Sequence, residues 1–138
     1  MAQVLNKMII DQKLLDEMTE KAKNSPRLRA AYDLRTTPED NSQRILNAVE
    51  PGTVLPIHRH RTTTETIVVL RGRVRQNYYN EQGEITNSFE LAPLSGIVGM
   101  SVPVSQWHAL ESLESGSVIL ETKDGAYAPI TAEDVLEQ

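Results

Sequence analysis

The chain is expected to fold as a mainly β protein, an antiparallel sandwich or barrel carrying one helix near its N-terminus. Three observations predict this. Only one early segment repeats its apolar residues at helical spacing. From Gln43 onward the chain breaks into short alternating runs. Those runs are separated by turn-forming residues: Glu50-Pro51-Gly52, Gly72, Asn80-Glu81-Gln82-Gly83, Ala92-Pro93 and Glu114-Ser115-Gly116.

Taken in order, Asp11 is placed to cap a helix whose inner face carries Leu14, Leu15, Met18 and Ala22, and Asn24-Ser25-Pro26 ends it. Residues 27–42 are polar and without a clear period, with 36–41 reading as a loop. Strands are predicted over 44–49, 54–58, 66–71, 73–79, 84–91, 97–101, 107–113 and 117–122. So many short strands in so little chain argue for a sandwich or barrel. Residues 131–137 predict a short terminal helix, with Thr131 and Asp134 resembling a capping box. The organisation expected is one domain: an N-terminal helix and polar loop over 1–42, a β-barrel over 43–125 and a tail over 126–138.

Composition narrows the function. The chain has no cysteine, which excludes a thiolate metal site, a cysteine nucleophile and a disulfide framework. Residues 1–7 lack the apolar run of a signal peptide and no stretch is long enough to span a bilayer, so a cytoplasmic, soluble protein without a membrane partner is expected. The net charge of -5 is unevenly spread. All nine arginines lie between Arg27 and Arg75, whereas beyond Arg75 one lysine opposes ten acids. The arginine cluster predicts either ion pairing with the acidic half or grip on an anionic ligand. Nucleic acid is not expected, because the whole chain is acidic and shows no aromatic-basic stripe.

All three histidines fall in two short segments. Gly52-x5-His58-x-His60-x4-Glu65-x6-Gly72 holds two of them, and His108 follows Pro103 by five residues. In a strand, residues i and i+2 share a face, so His58 and His60 stand ~6.5–7 Å apart at ~3.3 Å per residue and converge on one ion, with Arg59 turned away. The four residues 61–64 suffice for a turn returning Glu65 to the pair. Imidazole nitrogen and carboxylate oxygen are ligands for a divalent transition metal, but they do not choose among Zn, Fe, Ni, Mn and Cu.

The first of these segments resembles the first cupin motif at every defining position. The second, Pro103-Val104-Ser105-Gln106-Trp107-His108, is a partial match: Ser105 stands where glycine is usual and Ser112 where asparagine is common. Ser25-Pro26-Arg27-Leu28-Arg29, Gln43-Arg44-Ile45-Leu46, His58-Arg59-His60-Arg61, Trp107-His108 and Lys123-Asp124-Gly125-Ala126-Tyr127 are similar to WbuC-type cupin metalloproteins. The resemblance implies a cupin double-stranded β-helix, or jelly-roll barrel, with one metal held by His58, His60, Glu65 and His108. It also implies a homodimer and a setting in surface-polysaccharide metabolism.

Three neutral imidazoles and one carboxylate leave a six-coordinate ion two positions for water or substrate, as a catalytic site requires. The expectation is therefore an enzyme acting on a small, sugar-like or anionic molecule by isomerisation, epimerisation or oxygenation. The alternative is a regulatory cupin that binds such a molecule without chemistry. Candidate substrate-contacting residues are Gln43, Gln76 and Tyr78 on strands, and Arg27, Arg29 and Arg44 as an anion clamp at the mouth. Trp107, adjacent to His108, is expected to point away from it and pack. Arg71, Arg73 and Arg75 are expected to form an exposed or interfacial face. No dedicated nucleophile is visible, nor a second carboxylate beside Glu65, which disfavours a paired-carboxylate or serine hydrolase.

Overall fold

The computed structural model describes residues 9–136. Helix α1 (Gln12–Asn24) begins where Asp11 Oδ1 accepts the Leu14 amide at 2.9 Å. It ends at Ser25, just before Pro26, with Lys21 and Lys23 in its last turn, where cations suit the helix dipole. Leu15, Met18 and Ala22 form its buried stripe. Ten strands follow: β1 (Arg29–Asp33), β2 (Ser42–Val49), β3 (Ile57–His58), β4 (Glu65–Arg71), β5 (Val74–Tyr79), β6 (Ile85–Leu91), β7 (Gly99–Val102), β8 (Trp107–Ser112), β9 (Ser117–Asp124) and β10 (Val135–Leu136). They form two antiparallel five-stranded sheets, ordered β1-β2-β9-β4-β7 and β10-β3-β8-β5-β6.

Side-chain alternation divides the apolar residues into three layers. Leu46 and Ala48 of β2 and Val118 of β9 point outward and receive the helix. Val49, Ile67, Val69 and Ile119 point inward to meet Val74 and Leu91 of the other sheet. Ile57, Trp107 and Ala109 pack on the far side of that second sheet, with Tyr79 and Leu136. Burying each large aliphatic side chain contributes about 1.5–3 kcal/mol. The inner layer changes character along the strands. On β9, Ile119 is followed two and four residues later by Glu121 and Lys123 on the same face, and on β4 Ile67 is preceded by Glu65. One end of the space between the sheets is therefore apolar and the other polar.

Each of the eight predicted strands is present within a few residues of its expected bounds. Two further strands correct the sequence reading. β1 lies within the segment read as polar and irregular, and it pairs along its whole length with β2. Its only apolar anchors to the helix layer are Ala30 and Tyr32, too few to register as alternation. The helix expected from residue 131 is instead a single 3₁₀ turn, Ala132–Asp134, running into β10. Thr131 makes no capping bond, and the Asp134 carboxylate is drawn away by Arg59 Nε at 3.0 Å and Arg61 Nε at 2.6 Å. Val135 and Leu136 then pair with His58 and Ile57; Glu137 lies outside the described residues.

Arg71 is likewise no free surface group. Its guanidinium reaches Asp16 at 2.7 Å and Thr19 Oγ1 at 3.0 Å, pinning α1 to the sheet. Arg75 pairs with Glu111 at 3.1 Å across the outer strands.

Candidate metal centre

The four motif residues converge at the polar end. His58 and His108 are direct register partners on β3 and β8, so their side chains stand side by side facing inward. Glu65 opens β4 of the opposite sheet, and His60 sits in the connection between β3 and β4. One potential ligand atom from each of the four lies within 4.8 Å of the others. The ring centroids are 4.3 Å apart for His58 and His108, 5.0 Å for His58 and His60, and 5.6 Å for His60 and His108.

Hydrogen bonding fixes which nitrogen faces inward. The Pro56 carbonyl lies 3.0 Å from His58 Nδ1, and the Gln106 carbonyl 2.8 Å from His108 Nδ1. A carbonyl only accepts, so each Nδ1 carries the proton and each Nε2 presents a lone pair to the centre. This carbonyl–imidazole pairing is the outer support that metal-bound histidines use. Buried Nε2 atoms of His60 and His108 have no hydrogen-bond partner among the described residues. His60 Nε2 stands 2.9 Å from Glu65 Oε2 without the alignment of a hydrogen bond. An imidazole nitrogen and a carboxylate oxygen this close are placed to share one cation. The residues thus fit a single divalent metal site with a three-nitrogen, one-oxygen donor set.

The turn before β8 sets the fourth ligand. Ser105 adopts φ 65°, and its amide donates to the His60 carbonyl at 2.7 Å, tying the His60 loop to the strand that carries His108. The tight turn forms although serine replaces the usual glycine, at the cost of a left-handed backbone. Ser105→Gly is expected to stabilise the fold by about 0.5–1 kcal/mol, read as a higher thermal midpoint.

The structure adds two residues that sequence reasoning missed. Glu121 lines the same cavity as the four ligands, which corrects the expectation that no second carboxylate lies near Glu65. Lys123, in register with Glu65, places Nζ 3.9 Å from its Oε2. The available signal was phase: both residues alternate with the apolar inward position Ile119.

Of the other candidates, Gln76 lines the metal cavity and Gln43 lines a larger adjoining recess, its Nε2 donating to the Gly125 carbonyl at 3.0 Å. Tyr78 packs edge-on to Phe89, with centroids 5.3 Å apart. Arg27 and Arg29 flank a separate depression beside Gly52. Arg44 is held by Asp40 at 3.0 Å. Those three arginines do not line the metal cavity. Trp107 points outward and is buried beneath the Arg59 guanidinium, 4.3 Å from the ring centroid.

Burial, and secondarily the neighbouring His108, hold His58 down to about 4. Burial alone would raise Glu65, but the imidazoles of His108 and His60 and the ammonium of Lys123 outweigh it, keeping the carboxyl below the usual range. Glu121 is pushed up to about 7, by burial first and by the Glu65 charge second. In metal-stripped protein these shifts oppose each other. Between pH 4 and 6.5 the unfolded state takes up a His58 proton that the folded state refuses, so stability rises with pH. Between pH 4.5 and 7 the folded state keeps a Glu121 proton that the unfolded state loses, so stability falls with pH. Across the shared window the two act in opposite directions. Glu121→Gln is expected to make stability rise more steeply with pH between pH ~4.5 and ~6.5 than it does in the parent. Urea midpoints at three pH values check this; an equal slope in the parent contradicts it.

A jelly-roll sandwich closing three histidines and a glutamate around one metal position defines a cupin-fold metal-site protein. The chain belongs to the family described as Domain of unknown function (DUF6016), whose model matches residues 10–91. That match covers the first motif and ends before His108. No curated protein matches the chain. Among solved structures it is similar to the capsular polysaccharide assembling protein CapF from Staphylococcus aureus, with 21% identity and a TM-score of 0.60 over 72% of this chain and 27% of that one. It is also similar to KdgF from Halomonas sp., with 15% identity and a TM-score of 0.59 over 75% of this chain and 85% of that one. A cupin 2 domain-containing protein from Halorhodospira halophila shares 16% identity, with a TM-score of 0.59 over 75% of this chain and 68% of that one. The chain spans less than a third of the length of CapF. Among the described residues no helix is long and apolar enough to cross a membrane.

Proposed function

We propose that this protein is a metal-dependent enzyme of the WbuC type, acting on a small polar or anionic, sugar-like substrate by isomerisation, epimerisation or oxygenation. The observation that carries this reading is the company the metal ligands keep. Beside them, facing the same cavity, stand a second carboxylate, an ammonium and an amide: Glu121, Lys123 and Gln76. A purely structural metal needs no such neighbours; a metal that polarises a bound carbonyl or hydroxyl does. The ion, when bound, supplies Lewis acidity. The chain's own groups orient the substrate, and the apolar walls of Leu55, Ile67 and Leu110 keep bulk water away.

A role in surface-polysaccharide metabolism is supported by the name of CapF, and the working form we propose is a cytoplasmic homodimer. Elemental analysis of protein purified without a histidine tag is expected to find one divalent transition metal per chain. Azide added to cobalt-substituted protein is expected to change its visible spectrum by entering an open position. Incubation with aldoses, ketoses and sugar acids is expected to yield product that Glu65→Ala eliminates. Saturable binding without product over long incubation would replace the enzyme reading with a regulatory one. Mass analysis under native conditions tests the dimer.

A further inference from the structure

The cavity at the metal is an inner chamber of about 130 Å³. Sharing His60, Lys123 and Ile130 with it is an outer vestibule of about 390 Å³. The chamber is the smaller of the two and opens into the other, so a ligand longer than the chamber places one end at the metal and the rest in the vestibule.

The chamber's polar groups state what that end must be. Gln76 is 1% exposed, yet its Nε2 has no partner among the described residues. A buried amide left unsatisfied is costly, and native proteins rarely keep one without a use. The ion pair of Lys123 among the described residues is a long one, 3.9 Å to Glu65, which is itself turned toward the imidazoles, and Lys123 also feels the Glu121 carboxyl. Once that carboxylate serves the metal, the ammonium needs another acceptor. A metal ion, an ammonium and an amide N–H all seek ligand oxygens. Apart from the metal ligands, the side chains on the chamber wall able to accept are Glu121 and, through its amide oxygen, Gln76. A carboxyl there meets a ligand hydroxyl whether it accepts or donates.

The vestibule adds charge. Arg59, Arg61, Asp134 and Lys123 line it; both arginines pair with Asp134, and Arg61 also reaches Glu133, outside the lining, at 3.5 Å. These four side chains carry a net positive charge, which favours an anion.

We infer that the ligand of this site is a hydroxy- or keto-acid: its carboxylate and neighbouring oxygen enter the inner chamber against the metal, Gln76 and Lys123, and its remaining hydroxylated chain lies in the vestibule beside Arg61. Gln76 and Lys123 are specificity-determining residues in this arrangement. The inference rests on the metal-centre reading above and deepens it by naming the substrate class.

The test is calorimetric titration of protein whose metal content has first been measured. The probes are D-glycerate and D-gluconate, with glycerol and glucitol as their uncharged counterparts. Both acids are expected to bind at least about tenfold more tightly than the polyols, as a charge-assisted contact implies. Gln76→Leu and Lys123→Met are each expected to weaken both acids by about tenfold or more at unchanged metal content. Arg61→Ala is expected to weaken gluconate alone. Gln76→Leu also separates a binding role from a structural one: removing an unpartnered buried amide is expected to leave the thermal midpoint unchanged or higher. Should that variant fold poorly, Lys123→Met at the chamber's edge decides. Polyols binding as well as acids, or Lys123→Met binding acids like the parent, overturns the inference while leaving the metal centre standing. Protein that takes up no metal overturns both.

Discussion

Replacing His108 with alanine is expected to abolish stable metal binding while the fold survives. His108 is 2% exposed, and its Nε2 faces the centre with no hydrogen-bond partner among the described residues. Removing an outer-shell support of a metal ligand costs about 10–100-fold in affinity, and loss of the ligand itself exceeds that range. Three ligands from the β3–β4 segment would remain, held by their own strands and by the Ser105–His60 bond. The β8 strand itself is secured by pairing with β5 along its length, so the backbone does not depend on the imidazole. The measurement is metal per chain after dialysis against a competing chelator, with circular dichroism as the check on folding. The parent retains its ion and the variant loses it. A fully loaded His108→Ala protein would show that the imidazole is not a ligand. The neighbouring carbonyls predict a graded version of the same effect. Gln106 supplies its backbone oxygen to His108 Nδ1, so its side chain is expected to be replaceable with little loss of metal.

The second large effect is on the fold. Gly72→Ala is expected to destabilise the protein by about 2–5 kcal/mol. Gly72 has φ +87°, and a Cβ there would meet Ser117, approaching its Oγ and coming within 2.5 Å of its Cα. The obstruction is backbone, so no rotamer change relieves it. Ser117 is fully buried and fully employed, accepting from the Arg73 amide at 3.0 Å and donating to the Glu114 carbonyl at 2.7 Å. Moving it would unpair the β4–β5 and β8–β9 turns together. Gly83→Ala is the control. Its φ is +79°, but nothing lies within 4 Å of the new methyl, so only the left-handed backbone cost of about 1–2 kcal/mol applies. Urea unfolding of the two variants side by side separates steric from conformational cost. Equal losses would show that the Ser117 contact is not limiting.

Much of this molecule was legible before any coordinates. Helix α1 declared itself through Asp11 and the stripe Leu15, Met18, Ala22, because a cap and a 3.6-residue period are both local. The eight predicted strands were bounded by glycine, proline and asparagine at turns. His58, His60 and Glu65 could be grouped because a strand, a short connection and a returning strand bring them together by chain geometry alone. β1 and β10 were not legible, since each is a strand only through its partner. The two-residue β10 exists because Asp134 is captured by Arg59 and Arg61 and β3 offers a free edge.

The amino-acid order by itself determined the fold class, the helix, the strand series and the three ligands encoded within one short motif, for these rest on interactions spanning few residues. Only the tertiary structure decided which face of β9 turns inward. Glu121 and Lys123 could equally have lain in solvent, and their entry into the metal chamber follows from pairing between strands distant in sequence. It also decided that Gln76 ends buried with an unspent amide, and that the segment near Tyr127 and Asp134 closes around a second recess. Charge on a strand is read as surface until packing assigns its face, and packing is a property of the whole chain.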